Sequence, residues 1–258
     1  MLALRCFFAC DLHGRAGRYR RLWERIAAEQ PRAVFLGGDL LPMPWDRSWS
    51  NVGGGDFLGE LVFPALTGLK AELGDRYPAV FAIAGNDDPR CEESRFLAGE
   101  QRELWRYVHL RCADLDGHPV LGYACVPPTP FQLKDWERYD VSRYVDPGCV
   151  SPEEGKRTVA VDRRETRHGT ITADLETLAG DVDLKDAVCL FHTPPHDTVL
   201  DRADLDGKRV DHAPVDVHVG SIAVRRFLEA RQPAVALHGH IHEAARLTGA
   251  WRQQIGRT

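Results

Sequence analysis

Five short apolar runs in this chain end in the same chemistry. Residues 2–10 lead into Asp11-Leu12-His13-Gly14, and Ala33-Val34-Phe35-Leu36 leads into Gly37-Gly38-Asp39. Ala79 to Ala84 precede Gly85-Asn86-Asp87-Asp88, and Ala187-Val188-Cys189-Leu190-Phe191 precedes His192. Val235-Ala236-Leu237 runs through His238 into Gly239-His240-Ile241-His242. Near-continuous apolar runs of this length fit strands covered on both faces. Each one stops at glycine, carboxylate, amide or imidazole, the side chains that bind metal ions. Five independent loops would rarely share that choice, so the runs are expected to lie side by side with their C-terminal ends together.

Helical periods separate the runs. Tyr19, Leu22, Trp23, Ile26 and Ala27 repeat at helical spacing until Pro31 closes the helix. Leu58, Leu61, Val62, Leu69 and Leu73 form a second apolar face, with Pro64 expected to kink it. Further helices are expected from the turn at 85–89 to about Val108, over about 170–180, and from Ser221, a plausible N-cap, through Ile222, Val224, Phe227 and Leu228. Strands alternating with helices read as α/β, and open α/β sheets carry their sites at the C-terminal ends of strands. A hairpin should turn at Asp116-Gly117 between roughly 108–113 and 119–126. Residues 131–169 read as a polar excursion, partly helical near Lys134–Arg138. Residues 42–56, with Trp45 and Trp49, read as a lid or substrate wall. No repeat or linker divides the chain, so residues 1–258 are expected to form one domain.

Composition narrows the setting. With 33 basic and 38 acidic residues the net charge is −5, which disfavours a general binder of polyanions and makes nucleic acid an unexpected partner. No apolar run approaches the roughly 18 residues needed to span a bilayer. The apolar N-terminus lacks the basic start and small-residue cleavage site of a secretory segment and reads as the first strand. Seven cysteines with no C-x-x-C pair point to reduced thiols and a cytoplasmic protein.

Single motifs are weak. Asp-x-His occurs at Asp11/His13, Asp116/His118 and Asp216/His218, but only the first lies between an apolar strand and an amphipathic helix. The other two read as structural. The complete order Asp-x-His, Gly-Asp, Gly-Asn-x-Asp, His and Gly-His-x-His resembles the calcineurin-like metallophosphoesterase superfamily, from Asp11 to His242. His192-Thr193-Pro194-Pro195, Gly220-Ser221 and Gly239 to Glu243 resemble its compact single-domain prokaryotic branch. The resemblance implies a four-layer α/β/β/α sandwich with two mixed sheets. It also implies two divalent metal ions, with Mn first and Fe, Zn or Ni as alternatives. Asp11, His13 and His242 would hold one ion, Asn86, His192 and His240 the other, and Asp39 both. The implied activity is hydrolysis of phosphate esters by a metal-bridging hydroxide, on phosphodiesters or small nucleotides more than on protein phosphates.

Asp87 departs from that pattern. Relatives often carry a histidine there that protonates the leaving group or binds phosphate. A carboxylate cannot supply positive charge and could act as an acid only with a raised pKa. Asp87 is therefore the candidate catalytic residue whose role needs defining, and an ionised Asp87 would favour diesters over phosphate dianions. A catalytically weak metal- or phosphate-binding module and a nuclease are the alternative readings. Among weaker candidates, His238 is expected to pack beneath the site, His196 to be a loop histidine, Arg15 a surface arginine and Cys10 a small buried hydrophobe. The tryptophans read as core or loop anchors.

Overall fold

Burial separates the inner strands from the edges. The structure, a computed structural model, describes residues 4–43 and 56–258. Trp45 and Trp49, and with them most of the expected lid, lie outside the described residues. The second strand, β2 (Ala33–Gly37), is buried at all five positions. The first, β1 (Cys6–Ala9), alternates between exposed and half-buried residues, as an edge does. With β3 (Ala79–Ile83) and the short β4 (Arg106–Tyr107) they form a sheet ordered β1-β2-β3-β4, and every pairing is parallel.

The second sheet is mixed. It contains β5 (Arg111–Leu115), β6 (His118–Tyr123), β7 (Val188–Phe191) and the edge strand Val235–Leu237, which becomes β10 because two short strands, β8 (Arg209–Val210) and β9 (Ala213–Pro214), pair with each other in between. Its order is β10-β7-β6-β5; the hairpin β5–β6 is antiparallel and the other pairings are parallel. β2 faces β7 and β3 faces β6, so the apolar faces of the two sheets close on each other. Phe35 and Phe81 stack at 5.4 Å within this core, and Tyr123 meets Phe191 edge-on at 6.2 Å.

Helices cover the outside. α1 (Ala16–Glu29) packs with α2 (Phe63–Leu73), and α5 (Ile171–Ala179) packs with α6 (Ile222–Arg231), with α5 lying on β5 and β6. Among the described residues the other α-helices are α3 (Glu93–Gln101), α4 (Arg163–His168) and α7 (Ala244–Thr248). The architecture is thus the α/β sandwich that the resemblance implies, although the β1-β2-β3-β4 sheet is parallel among the described residues rather than mixed. Pro64 sits in the first turn of α2, directly after a π-helical stretch at Leu58–Val62, so the irregularity precedes the proline. Ser221 caps α6, its hydroxyl accepting from Val224 N–H at 3.0 Å.

Two expectations differ from the structure. The helix expected to reach Val108 stops at Gln101, because Trp105 folds back to donate its indole N–H to Phe96 O at 2.8 Å and the chain then pairs with β3. No helix forms at Lys134–Arg138. Lys134, Trp136 and Glu137 are buried there, with Lys134 Nζ 2.6 Å from Glu137 Oε2 and 2.8 Å from Thr129 O. Lys134 pairs with Glu137, and Arg138 with Glu165 and Asp174, so the polarity of this stretch does not mark a solvated loop.

Candidate metal centre

Parallel strands put their C-terminal ends on one side, and five of those ends supply the candidate ligands. Asp11 and His13 follow β1, Asp39 follows β2 and Asn86 follows β3. His192 follows β7, while His240 and His242 follow β10. Their ligand atoms form two groups, Asp11/His13/Asp39/His242 and Asp39/His192/His240, and within each all lie within 4.8 Å of one another. Asp39 belongs to both. Asn86 Oδ1 joins the second group, 3.1 Å from His192 Nε2.

The loops reach this arrangement through unusual backbone. Asp11, His13, Asp39 and His240 have φ of +55°, +47°, +53° and +72°. Such values are uncommon outside glycine and concentrate at functional sites. Two glycines provide the room. A Cβ on Gly85 would lie 2.3 Å from Asp39 Oδ1, and one on Gly239 would lie 2.7 Å from Asp11 Oδ2. Asp88 clamps the β2 and β3 loops together. Its buried carboxylate accepts from Leu40, Leu41 and Gly85 N–H at 3.2, 2.7 and 2.9 Å.

The directions of the lone pairs test whether metal fits. His192 Nδ1 faces the Gly37 carbonyl at 2.7 Å and donates to it, which leaves its neutral form with a bare Nε2. That nitrogen lies 3.2 Å from Asp39 Oδ2 and 3.1 Å from Asn86 Oδ1, both acceptors. In the other group His13 Nε2 and His242 Nε2 stand 3.1 Å apart, with Asp11 Oδ1 3.3 Å from His242 Nε2. Converging acceptors repel unless a proton or a cation lies between them. Adjacent ligands bound at about 2.1 Å and at right angles sit about 3.0 Å apart, so the spacing suits a shared ion.

Electrostatics agrees. Burial alone would raise the Asp11 carboxyl, but the His242 hydrogen bond and the His192 charge hold it below the usual carboxylate range. Burial alone would lower His192, yet Asp39 and then Asp11 push it up. Burial, and then the His192 charge, pushes His240 down to about 4. The field at this point favours one positive charge, which protein alone can supply only as a proton. His192 and Asp39 form the buried floor, whereas the His242 side chain is 50% exposed at the mouth.

Asp87 lies between floor and mouth, its side chain 21% exposed. Its N–H donates to Asp39 Oδ1 at 2.8 Å, and burial followed by the Asp39 charge raises its carboxyl to about 6. The other candidates stand apart from the two groups. His238 Nδ1 donates to Thr193 O at 2.8 Å and ties the β7 and β10 loops together. His196 pairs with Asp216 at 3.3 Å and His218 with Asp201 at 2.8 Å, while Asp116 binds Arg32. Arg15 is exposed, and Arg18, unremarkable in the sequence, reaches the Asp11 carbonyl at 2.5 Å. The one sequence signal for Asp88 was its place directly after Asn86-Asp87.

Comparison with known proteins places these observations. The family model described as calcineurin-like phosphoesterase matches residues 4–244. No curated protein matches. One solved crystal structure is similar with a TM-score of 0.55 and 18% identity, covering 97% of this chain and 86% of that one. The crystal structure of TT1561 of Thermus thermophilus is similar with a TM-score of 0.50 and 15% identity, covering 92% and 81%. At these identities the likeness is one of fold.

Proposed function

Because the chain belongs to the calcineurin-like phosphoesterase family, whose members are metal-dependent hydrolases of phosphate esters, we propose that it cleaves phosphodiesters or small nucleotides at a dinuclear centre. In this reading Asp11, His13 and His242 would hold one ion, Asn86, His192 and His240 would hold the other, and Asp39 would serve both. The observation that carries it is the pair of ligand groups sharing Asp39, whose carboxylate oxygens and imidazole nitrogens converge at cation-ligand spacing. Mixed carboxylate, imidazole and amide donors suit borderline divalent ions, so Mn is the expected activator, with Fe, Zn and Ni next. When bound, such a pair acidifies water to provide the nucleophile and offsets charge developing on the phosphoryl oxygens.

The protein's own share is to hold and orient. Gly37 O fixes the His192 ring, and His240 N–H fixes Asp11 Oδ1 at 3.0 Å. Burial, followed by Asp11, pushes the neighbouring Cys10 thiol far up, so it stays protonated and is no nucleophile. The buried floor excludes water, and the exposed His242 side leaves an entrance for a small ester. The seven cysteines are all free thiols, which supports a cytoplasmic setting, and no helix among the described residues is long and apolar enough to cross a membrane.

Asp87 sets the substrate preference in this reading. Its carboxylate lies beside the centre, 3.8 Å from His13 Nδ1, and its charge opposes a second negative charge on the substrate. A diester carries one charge and a monoester up to two. Diesters are therefore expected to be preferred over monoesters with leaving groups of equal acidity, and at saturating metal Asp87→His should narrow the gap by raising monoester turnover. Steady-state kinetics on matched esters, with several metals, tests this. A wild-type preference for monoesters, or a ratio unchanged in Asp87→His, would remove Asp87 from the substrate face.

A further inference from the structure

The two oxygens of Asp87 serve two different candidate ligands. Oδ1 accepts from Asn86 Nδ2 at 3.1 Å, and Oδ2 lies 3.8 Å from His13 Nδ1. Each contact is made on the side of the ligand that faces away from its group. Asn86 turns its oxygen to His192 Nε2, and His13 turns Nε2 to His242 Nε2. His13 Nδ1 is buried without a hydrogen-bond partner, and Asp87 is the carboxylate within ion-pair range of it among the described residues.

The chemistry of the two ligands gives this placement a consequence. An asparagine amide has a donor end and an acceptor end of nearly equal shape, and only the oxygen binds a cation. A carboxylate on the nitrogen end fixes the oxygen end toward the centre. An imidazole can carry its proton on either nitrogen. A carboxylate facing Nδ1 keeps the proton there, leaves the Nε2 lone pair free and makes it more basic. Asp87 hydrogen-bonds Asn86 and stands 3.8 Å from His13 Nδ1, where its charge favours the proton on that nitrogen, and its own N–H holds Asp39 Oδ1.

Resting on the dinuclear reading above, we propose that Asp87 is a positioning residue for both halves of the centre, orienting Asn86 in one and His13 in the other. The test is metal binding, independent of turnover. Metal-free wild type, Asp87→Ala and Asp87→Asn are titrated with Mn by calorimetry, and bound metal per chain is measured after equilibrium dialysis. Loss of such outer partners typically costs about 10- to 100-fold in metal affinity. Asp87→Ala should weaken both ions by that amount. Asp87→Asn keeps its shape but has one acceptor oxygen, so it should weaken one ion and spare the other. Unfolding of the metal-free proteins, followed in parallel, separates lost binding from lost fold; if Asp87→Ala unfolds early, the near-isosteric Asp87→Asn carries the test. Wild-type affinity for both ions in either variant would overturn the proposal, as would loss of the same single ion in both. A wild type that binds fewer than two ions would instead overturn the dinuclear reading beneath it.

Discussion

Asp39 is the residue on which both candidate ion sites depend. It is buried, it belongs to both ligand groups, and its backbone lies in the left-handed region that few side chains adopt. Two other groups define its carboxylate: Asp87 N–H on Oδ1 and His192 on Oδ2. Asp39→Asn preserves the shape but replaces one oxygen with an N–H group that cannot bind metal. The variant is expected to lose one ion and to fall at least about 100-fold in rate, the size of other first-rank electrostatic losses. Metal content per chain, measured beside the rate, checks this; wild-type stoichiometry with wild-type rate would remove Asp39 from the bridge. At this scale the sequence was informative about residue type. All seven ligand candidates were legible as polar endings of apolar runs. The positive φ of Asp11, His13, Asp39 and His240 was not legible, because it is imposed by contacts between loops distant in sequence.

The elements explain why those endings meet. Parallel pairing aligns the ends of β1, β2 and β3 in one sheet and of β7 and β10 in the other, and packing of β2 on β7 brings the two sets together. Apolar continuity made the strands readable. The division into two sheets came only through the family resemblance, and apart from the Asp116-Gly117 hairpin no pairing was legible, since periodicity does not encode which strands pair. The Lys134–Glu137 stretch was misread because its charges neutralise each other in the interior. Asp88 marks another limit: its role depends on Leu40 and Leu41, nearly fifty residues away in the chain. Asp88→Ala would leave three buried N–H groups without acceptors and is expected to destabilise the protein on the order of 4 kcal/mol. Asp88→Asn, which keeps one acceptor, should cost less. Denaturant unfolding of the two variants tests the clamp, and equal stability to wild type in both would refute it.

At the scale of the whole molecule, buried ionisable groups link stability to pH. His109 is buried with Nδ1 accepting from Ala124 N–H at 3.0 Å, and burial, followed by the charges of Arg90, Arg138 and Arg111, pushes its pKa down to about 3. The depressed value means that the unfolded chain takes up a proton first. Its contribution is therefore complete above about pH 6.5 and is lost as pH falls toward 3. At ~1.4 kcal/mol per unit the loss is on the order of 5 kcal/mol. His109→Gln keeps an acceptor for Ala124 and should flatten the unfolding free energy against pH between 6 and 4 by about one proton's slope; an unchanged slope would mean that His109 titrates normally. The same fold that buries His109 gathers seven ligand candidates at the C-terminal ends of its strands, and their joint occupation is the central claim. The most direct test titrates verified metal-free protein with Mn while bound metal and diester hydrolysis are followed in the same samples. Two ions per chain are expected at saturation, with no turnover at zero metal and full rate only as the second ion binds. Saturation at one ion, or full turnover by the metal-free protein, would contradict the dinuclear account.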